Sequence, residues 1–223
     1  MIEIKKGKEP DSLLWYRKQE GASYEEMDKD VKNELLESLL KEQGHICAYC
    51  MRRIPEGGDL PSGIPKVSIE HWYPRNSTAE KDEKMDLDYR NMLAVCSGNR
   101  GCGNEKSLTC DSRKGNQIIH VNPCDANTLQ EIEYSSNGRI KSANQDIDRE
   151  LNEVLNLNCE GVSLPQNRKS ELDELLNKIK RECSGGDFKA YCKKKLSQIQ
   201  EKPDPKIPYV GILIWWLEKH VRR

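Results

Sequence analysis

Two cysteines three positions apart, Cys47 and Cys50, form a C-x2-C pair in a chain that contains nine cysteines. Two thiolates at this spacing can reach one metal ion from a single tight turn, and such pairs are a common half of tetrahedral zinc sites. Three further cysteines, Cys96, Cys102 and Cys110, lie close together later in the sequence. The spacing predicts a four-cysteine zinc site and leaves open whether Cys102 or Cys110 is the fourth ligand.

The composition indicates why a metal would matter to this chain. Only 35% of the residues are hydrophobic, and 33% are charged. A core with so little apolar material benefits from a covalent or metal-based cross-link. The odd number of cysteines and the absence of an apolar leader in the first residues argue against a secreted disulfide framework. We therefore expect a cytoplasmic protein with reduced thiols.

Charge and hydropathy narrow the classes of partner. The formal net charge is −1, which excludes a histone-like polycation but permits a local basic surface that binds nucleic acid. The longest apolar run, residues 209–217, is much shorter than the roughly 20 residues that span a bilayer. No membrane association is expected.

The hydrophobic pattern predicts an α+β fold in which a small mixed module lies between helices. A capping box at Ser23–Glu26 and a stripe from Met27 to Leu40 predict a helix over about 24–43. Two short apolar runs, 67–69 and 91–95, predict strands. The resulting division is an N-terminal helical segment (1–44), a zinc-knuckle module (45–120), a β-hairpin extension around an Asn-Gly turn (121–142) and a C-terminal helical region (143–223).

A carboxylate and an imidazole stand side by side at the end of the first predicted strand, as Glu70 and His71. A carboxylate can bind a divalent ion, while a neutral imidazole can take a proton from water. This pair suits phosphodiester hydrolysis. Asn91 opens the second apolar run, and the segment Cys110-Asp111-Ser112-Arg113-Lys114-Gly115 closes the module.

The order of these elements resembles the zinc-stapled HNH (ββα-metal) endonucleases. The shared order is C-x2-C, Glu-His, Asn and Cys-Asp-x-x-Lys-Gly, and it covers about residues 45–116. The flanking segments 41–50 and 91–93 are similar to the HNH nuclease subunit of the Septu anti-phage system, which also occurs with retrons. That likeness extends over most of residues 1–140.

The resemblance implies a role for each matching residue. His71 corresponds to the general base, and Asn91 to the side chain that braces the neighbouring loop and orients that base. Glu70 and Asp111 correspond to ligands of a catalytic Mg²⁺ or Mn²⁺, although both differ from the residues most common in HNH nucleases. The resemblance favours Cys110 over Cys102, so that the structural zinc site consists of Cys47, Cys50, Cys96 and Cys110.

The substrate and the partners are further expectations. Arg113 and Lys114 lie beside the predicted site and are expected to contact phosphate. DNA is the usual target of such modules, and the relatives found with retrons make RNA, including tRNA, an alternative; the resemblance also implies an ATPase partner. A second hypothesis is a non-catalytic zinc module that tethers nucleic acid or a partner protein. The basic stretch 189–206 fits a solvated helix face as well as a nucleic-acid clamp.

Overall fold

The computed structural model describes residues 1–75, 85–183, 186–201 and 204–222. Helices and two small antiparallel sheets alternate along the chain, which confirms the prediction of a mixed fold. The helices are α1 (Asp11–Tyr16), α2 (Lys29–Gln43), α3 (Asp111–Lys114), α4 (Ala126–Gln130), α5 (Gln145–Arg149), α6 (Leu164–Glu182), α7 (Phe188–Glu201) and α8 (Val210–Arg222). The strands are β1 (Val67–His71), β2 (Met92–Cys96), β3 (Ile132–Tyr134) and β4 (Ile140–Ser142).

The first sheet pairs β1 with β2 and places Glu70 opposite Leu93 and His71 opposite Met92. Every residue of β2 is buried, because α2 packs against this strand. The edge of β2 that faces α2 is covered by Gln43, whose amide group accepts from the backbone N–H of Ala94 at 2.8 Å and donates to its carbonyl at 2.7 Å. This side chain therefore fixes the sheet against the helix that precedes the zinc knuckle.

The predicted start of α2 was wrong by several residues. The side chain of Ser23 does accept from the backbone N–H of Glu26 at 3.3 Å, but the helix begins only at Lys29. The backbone N–H of Tyr24 instead donates to Asp86 at 2.9 Å, and its ring meets His71 edge-on at 4.7 Å. These long-range contacts hold residues 24–28 out of the helix.

The predicted hairpin around the Asn-Gly turn is confirmed as the β3–β4 sheet. Gly138 has φ +85°, and a Cβ atom there would lie 2.0 Å from the carbonyl oxygen of Pro165, so the turn requires glycine. Arg168 of α6, which is buried, donates to the carbonyl oxygen of Gly138 at 2.6 Å and to that of Leu157 at 2.8 Å. These bonds tie the hairpin to the C-terminal helices.

One hydrophobic cluster contains buried residues from all four predicted regions of the chain. It extends from Met1 through the first sheet to Leu217 of α8. The regions therefore share a core, and the zinc knuckle lies within it. None of the described helices combines the length and the apolar character needed to cross a bilayer.

Candidate metal and catalytic site

Four buried cysteine sulfurs, those of Cys47, Cys50, Cys96 and Cys110, lie within 4.8 Å of one another. The Sγ–Sγ distances are 3.7 Å from Cys50 to Cys96 and 3.8 Å from Cys110 to both Cys47 and Cys96. A tetrahedral zinc ion with Zn–S bonds of about 2.3 Å has sulfur–sulfur edges of about 3.8 Å. The cluster therefore fits a zinc ion, and all four positions are filled by the protein.

The four cysteines come from three places in the chain: a tight turn, the end of β2 and the residue before α3. In the knuckle, the N–H of Met51 donates to the carbonyl of Cys47 at 2.9 Å, and Met51 has φ +61°. Cys96 is the last residue of β2, and Cys110 directly precedes α3. Cys102 is exposed and lies outside the cluster, so the structure groups the four cysteines that the family resemblance favoured.

The environment of the cluster supports a thiolate. Burial opposes ionisation, but hydrogen bonds from the thiols of Cys110, Cys50 and Cys96 hold the pKa of Cys47 well below its usual value. The pKa of Arg52 is raised against the effect of burial because the cysteine charges stabilise its guanidinium. A positive group beside the sulfurs offsets the negative charge of a four-thiolate zinc site.

Glu70 and Asp111 form a carboxylate pair next to the zinc knuckle. Glu70 accepts a hydrogen bond from the Tyr49 hydroxyl of the knuckle at 3.1 Å. Burial, together with the hydrogen bond to Asp111 and its charge, raises the pKa of Glu70 to about 8, although Lys114 acts in the opposite direction. A divalent cation could replace the proton that this raised pKa leaves on Glu70 near neutral pH.

Lys114 does not reach the solvent, contrary to the expectation that it contacts phosphate. Its side chain is fully buried, with Nζ 2.7 Å from Oε1 of Glu70 and 3.3 Å from the carbonyl oxygen of His71. The negative charge of the carboxylate pair draws the ammonium inward. Lys114 therefore balances the charge of the site in this conformation.

His71 directly follows Glu70 in β1, and its ring is held in one tautomer. Its Nε2 is 2.9 Å from the carbonyl oxygen of Asp86, which can only accept, so Nε2 carries the proton. Within the described part of the chain, Nδ1 has no hydrogen-bond partner. Burial lowers the pKa of His71, which keeps the imidazole neutral near pH 7. The ring therefore offers an unprotonated nitrogen that can accept a proton.

Asn91 braces two segments of the chain that follow the candidate base. Its Oδ1 accepts from the N–H of Tyr73 at 2.7 Å, and its Nδ2 donates to the carbonyls of Tyr73 at 3.0 Å and Met85 at 3.1 Å. These bonds join the segment that follows His71 to the segment that leads to Asp86. That these bonds orient a catalytic base remains a prediction.

Two arginines with no predicted site role lie at the site. Arg100 lies 2.8 Å from Oδ2 of Asp111, and the guanidinium of Arg75 stacks on Tyr24 at 4.6 Å from the ring centroid. Arg113 instead turns away and donates to the carbonyl of Glu153 at 3.3 Å. The net positive charge near the module was the signal available in the sequence, but it does not indicate which arginine points inward.

The Glu70–Lys114 pair leads to a stability prediction. Lys114→Met should reduce the free energy of unfolding by about 3 kcal/mol, because it leaves the buried carboxylate pair without its cation. Equilibrium urea unfolding of the zinc-loaded protein measures this. Lys178→Met is the control, since the Glu174–Lys178 pair has the same 2.7 Å separation but is exposed. An equal small effect of both substitutions would contradict the prediction.

Comparison of the chain with protein-family models and with curated proteins found no match.

Proposed function

We propose that this chain is a metal-dependent endonuclease of the HNH type that hydrolyses phosphodiester bonds of nucleic acid, with DNA the favoured substrate. The observation that carries the proposal is that His71, which has an unprotonated Nδ1, directly follows in β1 the glutamate, Glu70, that pairs with Asp111. The carboxylate pair adjoins the four-cysteine cluster, since Tyr49 of the knuckle donates to Glu70 and Asp111 directly follows Cys110. A structural zinc site needs neither an oriented histidine nor paired carboxylates.

Two different metals fit the two donor sets. The four thiols fit a structural zinc ion, because a closed tetrahedral site leaves no position for substrate. The oxygen donors of Glu70 and Asp111 fit Mg²⁺ or Mn²⁺. When bound there, a divalent ion would stabilise the charge that develops on the phosphate oxygens.

The side chains supply the remaining chemistry. Nδ1 of His71 would take the proton from the attacking water. Nε2 keeps its own proton, and its hydrogen bond to the carbonyl of Asp86 fixes the ring. The edge of Tyr24 packs against the imidazole and restricts its rotation. Asn91 would hold the base and the loop that follows it in a fixed relative position.

The biological setting follows from the family resemblance of residues 1–140. It favours a cytoplasmic effector subunit of an anti-phage defence complex that is controlled by an ATPase subunit. RNA, including tRNA, is the alternative substrate. Binding of the purified chain to the proposed ATPase, detected as a shift in size-exclusion chromatography, would support the complex, whereas an unshifted monomer would count against it.

A cleavage assay tests the proposed activity. The zinc-loaded chain, alone and with the proposed ATPase partner, is incubated with plasmid DNA or bulk tRNA in Mn²⁺ or Mg²⁺. Metal-dependent cleavage of DNA is the expected result, and cleavage confined to tRNA would reassign the substrate. Binding of nucleic acid without cleavage, even with the partner present, would favour the non-catalytic tethering module instead.

The raised pKa of Glu70 predicts how the divalent site responds to pH. Below a pKa of about 8, cation binding must displace the proton on Glu70, so the affinity for Mn²⁺ should rise with pH. The rise should be about tenfold per pH unit between pH 6 and 8 and should level off above that range. Electron paramagnetic resonance of free Mn²⁺ measures it. Glu70→Gln should bind more weakly and without this pH dependence; an unchanged profile in that variant would assign the proton to another group.

A further inference from the structure

We infer that Arg100 is the side chain that contacts the substrate phosphate, and that its ion pair with Asp111 is the resting position from which a divalent cation releases it. This inference rests on the proposed nuclease function. The sequence directed attention to Arg113 and Lys114, but Lys114 is buried against Glu70 and Arg113 is bonded to the carbonyl of Glu153. Lys114 has no access to solvent, and within the described residues Arg113 forms no ion pair with Glu70 or Asp111.

Arg100 has both the position and the exposure that phosphate binding requires. Its terminal Nη2 lies 2.8 Å from Oδ2 of Asp111, and 44% of the side chain is exposed to solvent. Within the described residues, this carboxylate is the one acidic partner of the guanidinium. Since a guanidinium carries five N–H donors in a planar fork, donors remain for a phosphate after one is used by Asp111.

The loop that carries Arg100 is held firmly against the zinc module. The carbonyl of Ser97 accepts from the N–H of Arg100 at 3.1 Å and from the Ser112 hydroxyl of α3 at 2.9 Å. Gly98 has φ +58°, and a Cβ atom there would lie 2.3 Å from the carbonyl oxygen of Thr109. The loop can therefore pack this closely only with glycine, and it delivers Arg100 to the start of α3 in a defined place.

Arg100 and a divalent cation compete for the same carboxylate. Asp111 uses Oδ2 for the guanidinium, whereas the proposed metal site needs the oxygen atoms of Asp111 and Glu70. A cation bound to Asp111 weakens the attraction for Arg100 by like-charge repulsion and leaves the guanidinium beside the metal, where a phosphate would bind. The exchange couples metal binding to the presentation of a phosphate-binding group.

Opposite changes in two affinities test this inference. Arg100→Gln should bind Mn²⁺ several-fold more tightly, because the competing charge is gone. The same substitution should weaken binding of a short duplex DNA about tenfold and reduce the salt dependence of binding by about one ion. DNA binding is measured by fluorescence anisotropy in a His71→Ala background with Mn²⁺ present, so that the DNA is not cut. Arg113→Gln is the matched control and should leave both affinities unchanged.

Several outcomes would overturn the inference. Loss of both affinities in Arg100→Gln would mean that the arginine only supports the fold, and no change in either would mean that it has no role at the site. An equal loss of DNA affinity in Arg113→Gln would assign the phosphate contact elsewhere. If Arg100→Gln cleaves and binds DNA with unaltered affinity, the proposed nuclease function stands and only this inference fails. If the binding changes occur as expected but the chain never cleaves, the phosphate contact of Arg100 stands and the proposed nuclease function fails.

Discussion

Replacing His71 by alanine is expected to reduce nucleic-acid cleavage by about 10²–10⁴-fold, the usual contribution of a positioned general base. The neutral ring presents Nδ1 for proton transfer because Nε2 is bonded to the carbonyl of Asp86 and burial lowers the pKa of the imidazole. Alanine removes the proton acceptor but leaves Glu70, Asp111 and the cysteine cluster in place. Initial rates with the preferred polymer at saturating Mn²⁺ measure the loss.

A structural effect of the same substitution can be separated from a chemical one. His120→Ala is the control, because that side chain is 74% exposed and bonds to Glu150 outside the site. Both variants should retain the zinc content of the wild type, and DNA binding should survive in His71→Ala. Free imidazole should restore part of the activity of His71→Ala and have no effect on the wild type. Normal cleavage by His71→Ala would refute the general-base mechanism.

Local sequence signals predicted the parts of the fold that depend on neighbouring residues. The Asn-Gly turn requires positive φ and so marks the β3–β4 hairpin, and the two short apolar runs mark β1 and β2. The C-x2-C spacing likewise predicts the knuckle, because one turn brings both thiols to one side. In each case the chemistry of a few consecutive residues determines the geometry.

Long-range contacts determine what the sequence did not reveal. Ser23–Glu26 has the pattern of a helix start, yet the bond from Tyr24 to Asp86 moves the start of α2 to Lys29. The sequence around Cys110 could not show that Lys114 would be buried against the carboxylate of Glu70 in β1. Nor could it show that the loop 97–109 would carry Arg100 to Asp111. These pairings depend on how separate segments of the chain pack together, so composition and periodicity do not report them.

Removal of the zinc ion is expected to have the largest effect on the protein itself. Structural zinc sites contribute roughly 10–16 kcal/mol of binding free energy, and a domain is stable by only about 5–15 kcal/mol. Cys47→Ser should therefore abolish the cooperative thermal transition, and so should a strong zinc chelator. Circular dichroism melting curves and metal analysis measure both effects. Cys102→Ser is the matched control, since that thiol is exposed and lies outside the cluster.

The loss of zinc should also abolish any binding of Mn²⁺ at the proposed divalent site, because the cysteine cluster and the carboxylate pair share their supports. Tyr49 of the knuckle donates to Glu70, and Asp111 directly follows the ligand Cys110. Without zinc, neither carboxylate is held in place, and Mn²⁺ alone should not restore the fold, since thiolates select zinc over a hard cation. A chelated protein that still binds one Mn²⁺ with its original affinity would show that the sites are independent. Full zinc content in Cys47→Ser, or an equal loss in Cys102→Ser, would show that the four cysteines are not the ligands.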